Sequence, residues 1–396
     1  MAAKPIRIAH LQLLPLLSGV QRVTLEELTR LNRSLFEPFV ICKEPGPLTE
    51  ALEKAGIPFF CVPELVREIS PLADLRALMR LKRLFREQKF DILHTHSSKT
   101  GILGRLAGRL AGVPLVMHTV HGYAFPAARN TFQKLFYFLM EWIGARLTDA
   151  LVVLNQNDFE IAAKRLGVPL DKLHLIPNGV DPERYSPPSL EVRNKIRLER
   201  FGIGKDGVAI GMVGRLWRQK NPECFVKAGI ELLKNNPLSI HFFLIGDGEE
   251  REKLEGLIKA SGNQQAIHIL GWRDDADRLL DGLDIFVLPS LWEGMPLAIL
   301  EAMASSLPVV ASNIPGNRDL VEEGKEGFLF HPNDSDGLAE KIKELISDPA
   351  LRKRLGVAGR KKVGTSYTLS GRVEKMELLY QDLLSKKTKQ QYTEKH

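Results

Sequence analysis

The sequence predicts an α/β protein built on two parallel sheets with helices on both faces, and three observations carry that expectation. Short apolar runs without polar alternation, among them Pro114-Leu-Val-Met-His-Thr-Val120, Val208-Ala-Ile-Gly-Met-Val213 and Asp284-Ile-Phe-Val-Leu288, recur between longer amphipathic segments. Such runs are strands buried on both faces, and their alternation with helical segments marks βαβ units. Turns containing glycine follow several of them, at Ser18-Gly19, His121-Gly122, Gly214-Arg215 and Gly246-Asp-Gly248. Asn178-Gly179, followed by Pro182, Pro187 and Pro188, then breaks the periodicity and reads as an interdomain linker.

Taken in order, the first strand spans 6–14, and the turn at Gly19 leads into a helix over about 20–32. A glycine at that turn lets the backbone approach a ligand, although a tight strand-to-helix turn uses it equally. A strand at 36–42, a helix near 47–55 and a strand at 57–62 complete a half-sheet. The helix over 71–89 aligns Arg76, Arg80 and Arg83 at i, i+4 and i+7, which makes either a solvated face or a contact for lipid phosphate. In the strand at 91–96, His94 and His96 lie on one side, but no third ligand is spaced nearby and a metal site is not expected. A Gly- and Ala-rich helix at 99–110 packs close to the sheet. His121 then falls at the carboxyl end of the strand at 114–120, the edge where doubly wound sheets collect ligands.

The helix over 131–147 carries Phe132, Leu135, Phe136, Phe138, Leu139, Trp142 and Ile143. These cover nearly half the helix circumference, wider than one core-facing stripe, so core packing and a lipid-facing surface are both open. Strands at 149–154 and 172–177 close the first sheet. After a basic helix near 190–200, further strands are expected at 208–213, 239–245, 266–270, 284–288, 308–311 and 327–330. Helices at 334–347, 349–363 and 370–384 follow, and the Lys-rich end 386–396 is expected to be disordered. The domains so defined are 1–182, 183–369 and a terminal segment 370–396.

The most informative stretch is Ser290-Leu-Trp-Glu293-Gly294-Met295-Pro296-Leu297-Ala-Ile-Leu-Glu301. A buried strand delivers Glu293 to a turn, Pro296 opens a helix where a missing N–H costs nothing, and Glu301 lies inside that helix. Backbone N–H groups at Met295 and Leu297 and the helix dipole favour phosphate, while carboxylates accept sugar hydroxyls. Upstream, a strand ends in Gly214-Arg215 with Lys220 five residues on, two cations for one diphosphate. The ligand this points to is a nucleoside-diphosphate sugar. A capped helix with two solvated glutamates is the plainer reading of the glutamate spacing alone. Gly246-Asp-Gly248 is as well explained by an ordinary turn, and Trp272 either walls a base or caps the core.

Composition narrows the class. At 396 residues, 44% hydrophobic and 26% charged, the chain has the make-up of a globular protein of two or three domains. Cys42, Cys61 and Cys224 have no metal-ligand spacing and are odd in number, which fits a reducing compartment. The start of the chain lacks the apolar core of a signal peptide, and no spanning segment is expected. Residues 1–182 hold 23 Lys and Arg against 17 Asp and Glu, so nearly all of the net charge of +7 lies in the first half. That asymmetry points to an anionic partner, a membrane surface or a nucleic acid, or to a basic solubilising face. No nucleic-acid recognition motif supports the second.

Ser18-Gly19, His121-Gly122, Pro177-Asn-Gly-Val-Asp181, Gly214-Arg215 with Lys220, Gly246-Asp-Gly248 and the pair Glu293 and Glu301, in this order, resemble the retaining glycosyltransferases of family 4. Ser18 departs from the Gly-Gly usual in that family. The resemblance implies a GT-B fold: two Rossmann-like domains facing each other across a cleft, with a C-terminal helix returning to the first. It implies sugar transfer with retention from a nucleoside-diphosphate sugar, UDP foremost, to a glycan or lipid-linked acceptor, with no cofactor and no metal. Arg215 and Lys220 then bind the diphosphate and stabilise its departure, with Gly19, Gly294, Met295, Pro296 and Leu297 around the donor. Glu293 binds the donor sugar, Glu301 the ribose, and His121 sits beside the anomeric centre. The expected location is cytoplasmic, peripheral on the inner face of the cell membrane. A GT-B epimerase would share the donor pocket, and a phosphorylase would need a cofactor lysine site that is not found.

Overall fold

The computed structural model describes residues 4–68, 70–125, 128, 130–234 and 240–393, with side chains through 389. Two compact units emerge: Met1–Asn178 together with Leu369–His396, and Gly179–Thr368. The first holds β1 (Ile6–Leu11), β2 (Phe36–Cys42), β3 (Phe59–Cys61), β4 (Ile92–His96), β5 (Leu115–Val120), β6 (Ala150–Val153) and β7 (Leu173–Leu175). All pair in parallel in the order β3-β2-β1-β4-β5-β6-β7. The second holds β8 (Val208–Val213), β9 (Ile240–Ile245), β10 (Ile267–Gly271), β11 (Ile285–Leu288), β12 (Val309–Ser312) and β13 (Gly327–Phe330), in the order β10-β9-β8-β11-β12-β13. Strand order reverses between β1 and β4 and between β8 and β11, and at such points loops part to leave a crevice.

The strands are the unalternating apolar runs read from sequence, and both of their faces are covered. In the first unit Ile8, Val40 and Met117 pack with Leu369, Val373, Met376 and Tyr380 of the last helix, while Ala9, Ile41, Leu93 and Val116 pack on the opposite face. In the second, Ile210, Phe242, Val287 and Val310 meet the helices Pro222–Leu233 and Ser335–Ser347. Full burial of each such side chain contributes about 1.5–3 kcal/mol.

Several boundaries differ from expectation for local reasons. β1 stops at Leu11, although the Gln12 N–H still donates to the Ile41 carbonyl at 2.8 Å. Ser239, the expected start of β9, lies outside the described residues. The helix expected over 370–384 runs Leu369–Thr393, so the Lys-rich end is helical to that point rather than disordered. Two ion pairs hold it there: Lys386 with Asp382, one turn back, and Lys387 with Asp149, each at 2.7 Å. Residues 394–396 lie outside the described set. Among the described residues, no helix is long and apolar enough to cross a membrane.

Candidate active site

The loop after β11 and the helix Leu297–Ala304 that follows it carry both glutamates of the acidic motif. Pro296 is the residue just before that helix, with φ −74°, and not its first helical position. Neighbouring strand ends brace the loop. The Ser312 hydroxyl donates to the Ser290 carbonyl, and Asn317 Nδ2 donates to the Ser312 carbonyl at 2.9 Å. A Cβ on Gly316 would stand 2.3 Å from the Gly294 carbonyl oxygen, so the turn behind the loop closes on it only because glycine is there. Glu293 is held from three sides: Lys220 Nζ donates to Oε1 at 2.5 Å, the Ser290 hydroxyl to Oε1 at 2.7 Å, and Gln219 Nε2 to Oε2 at 3.4 Å. Gln219 also donates to the Trp292 carbonyl at 2.8 Å. The loop after β8 is thereby tied to the loop after β11 across the reversal point.

Arg215, on the same β8 loop, is half exposed, pairs with Glu249 at 3.2 Å and lies over the Trp217 ring, 4.9 Å from its centre. The neighbouring glycines are there for backbone contact. A Cβ on Gly246 would stand 2.0 Å from the Gly214 carbonyl oxygen and one on Gly248 2.3 Å from that of Leu216. The loops after β8 and β9 are zipped by the Leu216 N–H donating to the Asp247 carbonyl at 2.9 Å. Gly246-Asp-Gly248 therefore has a structural duty whatever else it touches. Trp272 is 63% exposed and donates to Asp274, so it does not cap the core.

Glu301 is buried in the second turn of its helix and accepts a hydrogen bond from the Tyr185 hydroxyl at 3.0 Å. Met295 is buried, and Leu297 begins the helix. Sequence reading missed Tyr185, Gln219 and Ser290, whose functional signal is only their contact with the two glutamates.

His121 and Gly19 belong to the first unit. His121 follows β5 and lines a cavity of about 200 Å³ with Ser97, Ser98, His118, Thr119, Val120, Gly122 and Glu141. Ser97 and Gly122 both adopt positive φ, 63° and 114°. For Ser97 this is strained backbone, a feature that clusters at functional sites. Burial pushes the His121 ring down to about 3, with the Arg372 charge adding to the effect, so the imidazole is neutral at pH 7. Burial raises the Glu141 carboxyl, opposed by Arg105, whose guanidinium is buried beside it with Nη2 3.7 Å from Oε2. Gly19 opens the helix Gly19–Arg30, and a Cβ there would meet nothing, so the fold itself does not demand glycine.

The pair His94 and His96 has a third neighbour after all. His10, on the adjacent strand and in register with His94, brings three buried imidazoles together with ring nitrogens within 4.8 Å. The missing signal was topological, since β1 and β4 are far apart in sequence and adjacent in the sheet. Their nitrogens are already hydrogen-bonded: His10 to His96 at 3.0 Å, and His94 to Tyr380 and Thr119, each at 2.7 Å.

Comparison with known proteins identifies the family and the fold. Residues 17–184 match the model described as Glycosyltransferase Family 4 and residues 195–362 the model described as Glycosyl transferases group 1. The chain is 44% identical, over 96% of its length and 98% of the relative's, to the UDP-Gal:alpha-D-GlcNAc-diphosphoundecaprenol alpha-1,3-galactosyltransferase of Escherichia coli. It is 25% identical, over 81% of its length and 84% of the relative's, to the N,N'-diacetylbacillosaminyl-diphospho-undecaprenol alpha-1,3-N-acetylgalactosaminyltransferase of Campylobacter jejuni. Among solved structures, Anabaena HepE in complex with UDP and glucose superposes with a TM-score of 0.83 at 20% identity, covering 95% of this chain and all of that one. Sucrose-phosphate synthase of Thermosynechococcus elongatus gives 0.80 at 19% identity, covering 96% and 99%. The fold is thus GT-B, and the chain belongs to the group 1, family 4 glycosyltransferases.

Proposed function

We propose that this enzyme moves a hexose, galactose foremost, from a UDP-sugar to a hydroxyl of an amino sugar carried on undecaprenol diphosphate, with retention at the anomeric carbon, in the assembly of a surface polysaccharide. The observation that carries this reading is the 44% identity to the E. coli galactosyltransferase, which runs through both units. Lys220 and Arg215 take the diphosphate and stabilise the charge that develops as it leaves, the largest electrostatic task in the reaction, and one that needs no divalent ion when two cations perform it. Glu293 accepts hydroxyls of the donor sugar; Gly294, Met295, Pro296 and Leu297 shape the phosphate contact, and Glu301 holds the ribose. His121 and Gly19 act from the first unit, His121 beside the anomeric centre.

The acceptor's lipid has to be met at a membrane surface, and the placement we propose is the cytoplasmic face. On the helix Thr131–Arg146, Phe132, Leu135, Leu139 and Trp142 are exposed, at 82, 63, 45 and 37%, along one stripe. Core packing therefore accounts only for the other part of the helix, where Phe138 joins the cluster around Val120 and Tyr123. On the helix Pro71–Gln88, Leu72, Leu75 and Met79 are exposed beside Arg76 and Arg80. Apolar side chains flanked by cations suit an anionic lipid interface. Incubation with a panel of UDP-sugars and a short-chain GlcNAc-diphospho-lipid tests the reading. UDP-galactose should give a product that needs the acceptor, and turnover of other nucleotide sugars in its place would overturn the donor assignment.

A further inference from the structure

A hydrogen-bonded chain runs through the first unit from a buried ion pair to His121. Arg372 Nε donates to Glu27 Oε2 at 3.0 Å, and Glu27 Oε1 lies 3.4 Å from the Tyr380 hydroxyl. That hydroxyl is 2.7 Å from His94 Nδ1 and 3.4 Å from His10 Nε2. His10 Nδ1 is 3.0 Å from His96 Nε2, and His96 Nδ1 is 3.0 Å from His121 Nε2. Every member except His121 is at most 3% exposed.

Counting protons fixes the direction of the chain. A neutral imidazole has one donor and one acceptor nitrogen, and a tyrosine hydroxyl has one proton and two lone pairs. Burial pushes His10 down to about 3 and His94 and His96 well below the ordinary range, so the rings are neutral. Burial raises the Glu27 carboxyl, but Arg372 opposes the shift and cannot lose its own charge, and an unpaired buried guanidinium would cost several kcal/mol, so Glu27 stays ionised. With Glu27 ionised, the Tyr380 proton goes to Oε1, and the oxygen accepts from both His94 Nδ1 and His10 Nε2. All three contacts at Tyr380 are then satisfied. If the proton went to His10 instead, the Tyr380 oxygen and Glu27 Oε1 would face each other as two acceptors. With His10 protonated on Nε2, its Nδ1 accepts from His96 Nε2, and His96 Nδ1 accepts from His121 Nε2.

We infer that Tyr380, its own proton taken by Glu27, is a positioning residue that holds His121 in the Nε2–H tautomer, leaving Nδ1 as the ring's hydrogen-bond acceptor for a substrate hydroxyl. This rests on the role proposed for His121, and it gives the last helix, source of both Tyr380 and Arg372, a part in setting that role. The two 3.4 Å contacts make Tyr380 the link most easily broken.

Long-range proton–nitrogen correlation spectra of the full chain labelled at histidine nitrogen test the inference, with His121 assigned through its loss in His121→Gln. The wild type should show a protonated Nε2 and a bare Nδ1 at His121. In Glu27→Gln the amide oxygen faces Arg372 and its NH2 faces Tyr380, so the Tyr380 proton turns to His94 Nδ1, the nearer ring nitrogen at 2.7 Å, and His94 should change tautomer while His10, His96 and His121 keep theirs. Tyr380→Phe should show both tautomers of His121. A wild-type His121 protonated on Nδ1, or a single unchanged His121 tautomer in Tyr380→Phe, would overturn the inference; if that variant does not fold, the wild-type spectrum alone decides. The spectra need no turnover. If they behave as expected while His121→Gln keeps full kcat, the chain stands and the proposed role of His121 falls.

Discussion

Lys220 Nζ and Glu293 Oε1 lie 2.5 Å apart, with side chains only 16 and 9% exposed, although 73 residues separate them in sequence. They meet because β8 and β11 are neighbours at the point where strand order reverses. On the proposed reading one donor takes both, the cation at its diphosphate and the carboxylate at its sugar. Lys220→Ala should therefore lower kcat/KM by about 2–4 kcal/mol of transition-state stabilisation, since it removes a cation from a partly desolvated diphosphate and unpairs Glu293. Arg215→Ala, at an exposed site, should cost less. Steady-state kinetics decide, and near-normal turnover in the double variant would remove both from the site.

The two glutamates should differ in kind. On the proposed reading Glu293 gives up its contacts with Lys220, Ser290 and Gln219 for hydroxyls of the donor sugar, so Glu293→Gln should mainly lower kcat. Glu301 is fixed by the Tyr185 hydroxyl in the second turn of its helix, so Glu301→Gln should mainly raise donor KM. Tyr185→Phe should follow Glu301→Gln with a smaller effect, since it loses one hydrogen bond of about 1 kcal/mol, several-fold in KM. Equal KM effects from both glutamates would overturn the division.

Stability should fall with acid from below neutrality. His10, His94, His96, His118 and His121 all titrate below their ordinary value in the folded chain because burial disfavours the charged ring. As pH drops below about 6.5, the unfolded chain takes up protons that the folded one refuses, and each histidine adds a slope approaching about 1.4 kcal/mol per pH unit until its folded pKa is reached, near 3 for His10 and His121. Urea unfolding followed at pH 7 and pH 5 should show a much lower midpoint at pH 5 for the first unit. Equal midpoints would contradict the neutral cluster.

The sheets and the position of the acidic loop were legible in sequence because two-sided burial leaves unalternating apolar runs and because Glu293, Glu301 and Lys220 fall at fixed offsets from strand ends. What was not legible depends on contacts across the sheet. His10 reads as an ordinary strand residue until register places it opposite His94, and Tyr380 as an ordinary helix residue until the last helix packs beside β1 and β4. The face of the helix Thr131–Arg146 was ambiguous because its apolar arc exceeds one stripe, and only packing separates Phe138, turned inward, from Phe132, turned out.

That outward stripe predicts a salt-dependent membrane contact. The chain should sediment with vesicles containing anionic lipid at low salt and less at high salt, where screening shortens the reach of Arg76 and Arg80. Phe132→Ser combined with Trp142→Ser should weaken sedimentation while leaving hydrolysis of the donor without acceptor unchanged. Sedimentation that ignores both salt and the double substitution would remove the stripe from the membrane contact.

The most direct test of the central claim is the anomeric configuration of the sugar in the product made from UDP-α-galactose and a GlcNAc-diphospho-lipid, read from the proton coupling at its anomeric carbon by NMR. A retained α linkage is the expected result. A β linkage, or release of an epimerised sugar nucleotide with no glycosidic product, would contradict it.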